Sequence, residues 1–179
     1  MENRKALESL FKKRGFDDFS WIGPEDIAVS QWVRMKCRFG CVDFGRRATC
    51  PPNVPSLPEC ERLFSEYSEI VLFHFEGSVK KPEDRHEWTR GINERLLELE
   101  REVFLSGYHK AFVLYIDPCH VCKDCAPVKS DCRRPKKARP SVEGLAVDVF
   151  ATARGCGYDI DVLKNYGQRM NRFGMLLVG

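Results

Sequence analysis

Cys119, Cys122 and Cys125 are separated by two successive gaps of two residues, and Cys132 follows after six more. So tight a spacing makes the chain wrap its thiols around one compact object, and C-x2-C-x2-C turns of this kind begin the loops that hold multi-iron clusters. In two-cluster ferredoxins the fourth cysteine of such a run ligates the other cluster, but the simpler assignment keeps Cys132 local. A structural zinc ion is the competing reading, since zinc also accepts four thiolates. Zinc ribbons, however, pair two C-x2-C knuckles from separate hairpins, whereas these three cysteines share one turn.

A second group lies upstream. Cys37, Cys41 and Cys50 form C-x3-C-x8-C in a segment punctuated by Gly40, Gly45, Pro51, Pro52 and Pro55. Three thiols in a Gly- and Pro-rich loop suit a metal, and Pro51 stiffens the position after Cys50. Cys60 could supply a fourth ligand. It also falls in a helix expected over 57–67, on the face of Leu57 and Phe64, where a cysteine serves equally as a small buried hydrophobe. Without it one metal position stays open to a substrate, sulfide or partner. Cys156, between Gly155 and Gly157, is read as incidental.

Nine cysteines need such an explanation because the rest of the chain looks cytoplasmic. Its opening, MENRKALESLFKKRG, holds no signal-peptide core, and no stretch approaches the roughly 20 apolar residues of a membrane span. In a reducing compartment an odd, bunched set of cysteines argues for metal rather than disulfides. The net charge of +3 over 179 residues is too small to argue for nucleic acid.

The spacing of apolar residues predicts a helix over 1–15 and a strand over Ile27–Met35 leading into the first cysteines. Ser56 and Glu59 form a capping box, with Pro58 in the first turn of the helix that follows. Ile70–Phe75 reads as a buried strand. Pro82 and Asp84 introduce the longest helix, where Trp88, Ile92, Leu96, Leu99 and Val103 make one apolar stripe. Ala111–Ile116 is a second buried strand, ending where the second cysteine group begins. Ser141 caps a further helix with Leu145, Ala146, Val149, Phe150 and Ala153 on its apolar face, and Met175–Val178 is a last strand. The expected architecture is α/β: a single small domain over 1–179, with a mixed sheet flanked by helices. Its two cysteine loops, 37–55 and 118–140, start at neighbouring strand ends.

Arg133, Arg134, Lys136, Lys137 and Arg139 place five cations in seven residues directly after Cys132. They can offset the charge of a thiolate-bound cluster, which makes Arg133, Arg134 and Arg139 the candidate cofactor contacts. They can also dock an acidic redox partner. RNA is disfavoured, because no aromatic residues interleave the run. Arg46 and Arg47 beside the first loop can act similarly. His120, inside the second loop, is read as solvent-facing. His74, His86 and His109 stand at unrelated positions, and Asp117 and Asp124 are read as caps. The sequence has no G-x-G-x-x-G and no P-loop.

These motifs resemble a family of predicted metal-binding proteins found mainly in archaea and anaerobic bacteria (domain of unknown function 2284). The resemblance is carried by Cys37-Gly40-Cys41, Thr49-Cys50-Pro51-Pro52, Pro118-Cys119 with Cys122 and Cys125, and Cys132-Arg133-Arg134-Pro135. It continues through Ala138-Arg139-Pro140-Ser141-Val142-Glu143 and Asp148, so it covers most of the chain. It implies a metal or iron–sulfur binder whose ligands are Cys37, Cys41, Cys50, Cys119, Cys122, Cys125 and Cys132, with Cys60 and Cys156 outside the pattern. The expected function is one or two [4Fe–4S] clusters serving electron transfer with a redox partner protein. The alternatives are a cluster enzyme with an open iron for a small-molecule substrate, in sulfur or methyl-group metabolism, and a zinc-stabilised binding module.

Overall fold

Alternation of apolar side chains along two long strands decides the layering. In β2 (Ile70–Gly77), Ile70 and Leu72 face one side of the sheet while Val71 and Phe73 face the other, and all four are buried. A strand buried on both faces needs a layer on each. One layer comes from α1 (Glu2–Lys13) and α4 (Arg85–Leu105), whose Leu7, Phe11, Ile92, Leu96, Leu99 and Val103 pack on Val71 and Phe73. The other comes from α3 (Leu57–Ser65) and α5 (Val149–Gly155), which set Cys60, Phe64 and Ala153 against Ile70 and Leu72. The computed structural model describes residues 2–81, 84–165 and 167–179, leaving out the side chain of Glu2. Pro82, expected to introduce α4, lies outside them.

The result is the α/β domain the sequence implies. Its sheet runs in the order β1 (Phe19–Ile22), β2, β4 (Met170–Leu177), β3 (Phe112–Leu114). Every adjacent pair is antiparallel, where the strand–helix alternation points to a mixed sheet. The physical reason is an insertion. β2 and β3 run in the same direction, joined through α4, but the C-terminal β4 lies between them and opposes both. β1 is too short to carry a periodic signal and is not foreseen.

Two further expectations fail. Residues 27–35 do not form one strand. Only the stretch around Val29 is extended, bridged to Val147, and from Gln31 the chain becomes helix α2 (Gln31–Gly40). Ser30, extended at φ −139°, is its N-cap. Apparent alternation in this segment is the start of a helix that buries Val33 and leaves Trp32, Met35 and Phe39 exposed. The first cysteine loop therefore starts at a helix end. Nor does one helix run from Ser141. A short 3-10 turn at Glu143–Leu145 stops at Ala146, which is left-handed at φ 62°, and Asp148 caps α5 through Ala151 N at 3.0 Å. Tertiary pairing overrides helical periodicity here: Ala146 O accepts from Ser30 N and Asp148 N donates to Ala28 O.

Candidate metal centre

The second cysteine loop is closed at its base. Tyr115 N donates to Pro140 O at 2.9 Å, and Val142 N donates to Tyr115 O at 3.1 Å. The intervening segment must therefore fold back on itself, and Cys119 enters it two residues after the buried Asp117. Cys119, Cys122, Cys125 and Cys132 come together around one small pocket, which Thr49, Arg133 and Arg134 also line. Cys119 is buried, and the other three are partly so. Burial pushes the Cys119 thiol up, while backbone N–H groups of Val121 and Arg139 donate to its sulfur and pull it down. Such N–H···S contacts stabilise a thiolate.

The first group is built on α2. Cys37 lies in its last turn and Cys41 at its C-cap, four residues apart and so on one face. Cys50 returns to them through a turn at Gly45, whose φ of +70° suits glycine and whose N–H donates to Pro51 O at 2.9 Å. The Pro51–Pro52 bond is cis. Burial pushes the Cys50 thiol up to about 12; Arg47 opposes this, while Asp43, Cys41 and Cys37 add to it. Burial and Cys41 likewise raise Cys37. Thiols this reluctant to ionise stay protonated at neutral pH, and a cation that binds them must displace those protons.

The two loops meet. Asn53 Nδ2 donates to Arg47 O at 3.1 Å and to Pro127 O at 2.6 Å, tying the first loop to the second. Arg47 pairs with Asp43 at 2.9 Å, and its charge acts on both Cys50 and Cys125. Removing the shared amide with Asn53→Ala is expected to lower stability by about 2 kcal/mol, two neutral hydrogen bonds at roughly 1 kcal/mol each. Urea denaturation of the metal-free protein measures it.

Seven thiols in two abutting loops form a soft donor set suited to zinc or iron–sulfur clusters. Thr49 Oγ1 is buried, lacks a partner among the described residues, and lines the four-cysteine pocket, where a sulfur acceptor would satisfy it. Among the described residues, no three His, Cys, Asp or Glu side chains form a group that could hold a metal ion as they stand. The donor chemistry fits a metal. Residues 20–178, a span that holds every cysteine, match the family described as predicted metal-binding protein. The chain belongs to that family, DUF2284. No curated protein and no solved structure matches it.

Other residues of this DUF2284 chain fall into place around the loops. Cys60 is fully buried in the core under α3, where its thiol donates to Pro55 O at 3.6 Å. Cys60→Ala is expected to leave metal content unchanged and to cost about 1 kcal/mol of stability, as deletion of a small buried group does. Metal analysis beside a denaturation curve checks both halves. Cys156 packs at the C-cap of α5. Arg133 and Arg134 are exposed at the rim of the four-cysteine pocket. Arg139 instead turns inward to Glu100.

His120 is not solvent-facing. Its Nε2 is buried without a partner among the described residues, and its ring lies 4.2 Å from that of His86. Burial, with Arg47 and His86 nearby, brings its pKa down to about 4. His74 is fully engaged, contacting Asp18 Oδ2 at 2.6 Å and Asn171 Oδ1 at 2.8 Å.

Cys37 and Cys41 open on a cleft of about 890 Å3, whose wall also includes Trp32, Asp117 and Glu143. Burial raises the Glu143 carboxyl to about 7, and Asp117 adds to the rise. Neither periodicity nor motif spacing announces this cleft. Its residues come from α2, α4, α5, β4 and the segments around 117, 143 and 160, and only the fold assembles them. Asp117, read from sequence as a cap, is buried in its wall.

Proposed function

We propose that this DUF2284 protein is an iron–sulfur protein in which Cys119, Cys122, Cys125 and Cys132 hold a [4Fe–4S] cluster used for electron transfer. The observation that carries this reading is the one small pocket lined by all four of these cysteines, with Thr49, whose buried hydroxyl lacks a partner among the described residues, on the same lining. When bound, a cluster there supplies one-electron chemistry at a potential set by hydrogen bonds and exposure. The protein's own part is to donate Val121 and Arg139 N–H groups to Cys119, to place Arg133 and Arg134 against the cluster's negative charge, and to offer that rim to an acidic redox partner. Residues 1–179 act as one cytoplasmic unit. Among the described residues, no helix is long and apolar enough to cross a membrane.

A second reading has its own support. Cys37, Cys41 and Cys50 are three thiols, Cys60 is turned into the core, and Cys37 and Cys41 border the large cleft. A metal held there by three protein ligands keeps a position open for a substrate, as catalytic sites do. The deciding experiment is iron, zinc and acid-labile sulfide content, with a visible spectrum, on protein purified without oxygen. Iron with sulfide and a broad band near ~400 nm supports the cluster reading, and the iron count tells whether one loop or both are loaded. Stoichiometric zinc in a colourless protein overturns it and leaves a zinc-stabilised module.

A further inference from the structure

The cleft beside Cys37 and Cys41 has the volume of a small-molecule site, about 890 Å3 where such pockets span roughly 300–1,000 Å3. Its lining carries buried polar atoms that the protein leaves unsatisfied. Arg172 Nε and His86 Nδ1 have no hydrogen-bond partner among the described residues. Buried donors without partners are rare in folded proteins, and a guanidinium cannot shed its proton to escape the cost. Arg85 is instead committed to the buried Asp117, its Nε 3.1 Å from Oδ2.

The charge balance points the same way. Of the four acids on the lining, Asp43 pairs with Arg47, Asp161 with Arg154 and Asp117 with Arg85. Only Glu143 then stands against Arg172 and Lys36. Arg85 and His86 also open α4, a helix of 21 residues whose N-cap, Asp84, makes no side-chain bond to it. Opposite in character, Trp32, Phe150 and Ile160 give the cleft an apolar, partly aromatic surface.

We propose that this cleft binds a small organic carboxylate with a compact apolar body, its anionic head taken by Arg172, with Lys36 on the same lining. A planar guanidinium matches a carboxylate by paired hydrogen bonds, and the apolar wall excludes water from the rest of the ligand. This deepens the second reading above, because it names the substrate class presented to the three-cysteine site. The grip on the carboxylate is built from side chains and does not itself require a metal.

The test is calorimetric titration of the full-length protein, purified without oxygen, with phenylacetate as probe and phenylacetamide as its uncharged counterpart. Saturable one-site binding of phenylacetate is expected, with phenylacetamide at least about tenfold weaker, because one charge-assisted contact is worth about that factor. Arg172→Gln should weaken phenylacetate about tenfold and leave phenylacetamide unchanged. Lys36→Gln, at an exposed position of α2, repeats the comparison should the first variant fold poorly. Absence of saturable phenylacetate binding, equal binding of the amide, or indifference to both substitutions overturns the proposal. Iron and zinc are measured on the same samples. Binding without iron leaves the carboxylate site standing and removes the open-iron reading, whereas iron without binding removes the carboxylate site alone.

Discussion

Cys119→Ser is expected to remove the whole metal complement of the second loop while leaving that of the first. Cys119 is the most enclosed of the four thiols, 7% exposed, and it packs in the same core cluster as Tyr115 and Ile116. Its sulfur receives two backbone N–H groups, and Cys125 and Cys132 act on it directly. Serine preserves the size and the hydrogen bonds but replaces a soft thiolate with a hydroxyl that does not ionise near neutral pH. Because a metal that binds only the folded state stabilises it by mass action, losing a site filled a thousandfold above its dissociation constant costs about 4 kcal/mol. Iron and sulfide should fall together, and the melting temperature of the anaerobic protein should fall with them. The metal-free forms of the two proteins should differ far less. Unchanged iron in Cys119→Ser would show that the second loop is not the cluster site. Equal losses in the Cys119→Ser and Cys60→Ala proteins would instead trace the effect to packing.

Much of this site is written in local spacing, and local features proved legible. Ser56 and Glu59 form the capping box their separation implies, with Glu59 Oε2 accepting from Ser56 N at 2.8 Å. The stripe from Ile92 to Val103 is the buried face of α4. Cys119, Cys122 and Cys125, separated in turn by two residues, line one pocket, and Cys132 joins them across a longer gap. What stays hidden is whatever long-range pairing decides. The stretch after Ile27 resembles a strand until Ser30 starts a helix, and the helix expected from Ser141 is broken because residues 146–148 are taken by residues 28–30. His86 and His120 stand at unrelated positions in the sequence and touch in space. Arg85 and Arg172 reach one cleft from the start of α4 and from β4. Nothing in their neighbours' identities records that meeting.

Arg139→Ala is expected to cost about 3–5 kcal/mol, the penalty for leaving a buried charge without its partner. The sequence places Arg139 last in a basic run and assigns it to a cofactor, yet its guanidinium is committed within the fold. Nε donates to Glu100 Oε2 at 2.8 Å, and Nη2 donates to Glu100 Oε1. Glu100 is 8% exposed and also accepts from Val113 N at 2.7 Å, so it covers the edge of β3 that β4 does not pair. Asn93 does the same two turns earlier on α4, accepting from Ile116 N at 3.0 Å. An unpaired sheet edge is a liability, and here α4 covers it with side-chain acceptors. Truncating Arg139 strands the carboxylate that caps this edge and loosens the chain whose N–H reaches the Cys119 sulfur. Arg133→Ala and Arg134→Ala, at exposed positions, should each change stability by less than about 0.5 kcal/mol. A double-mutant cycle with Glu100→Gln separates the pair from the packing. Coupling of several kcal/mol, with metal content lost only as the protein unfolds, fits a structural arginine. Full stability in Arg139→Ala with weakened metal binding would return Arg139 to the metal site.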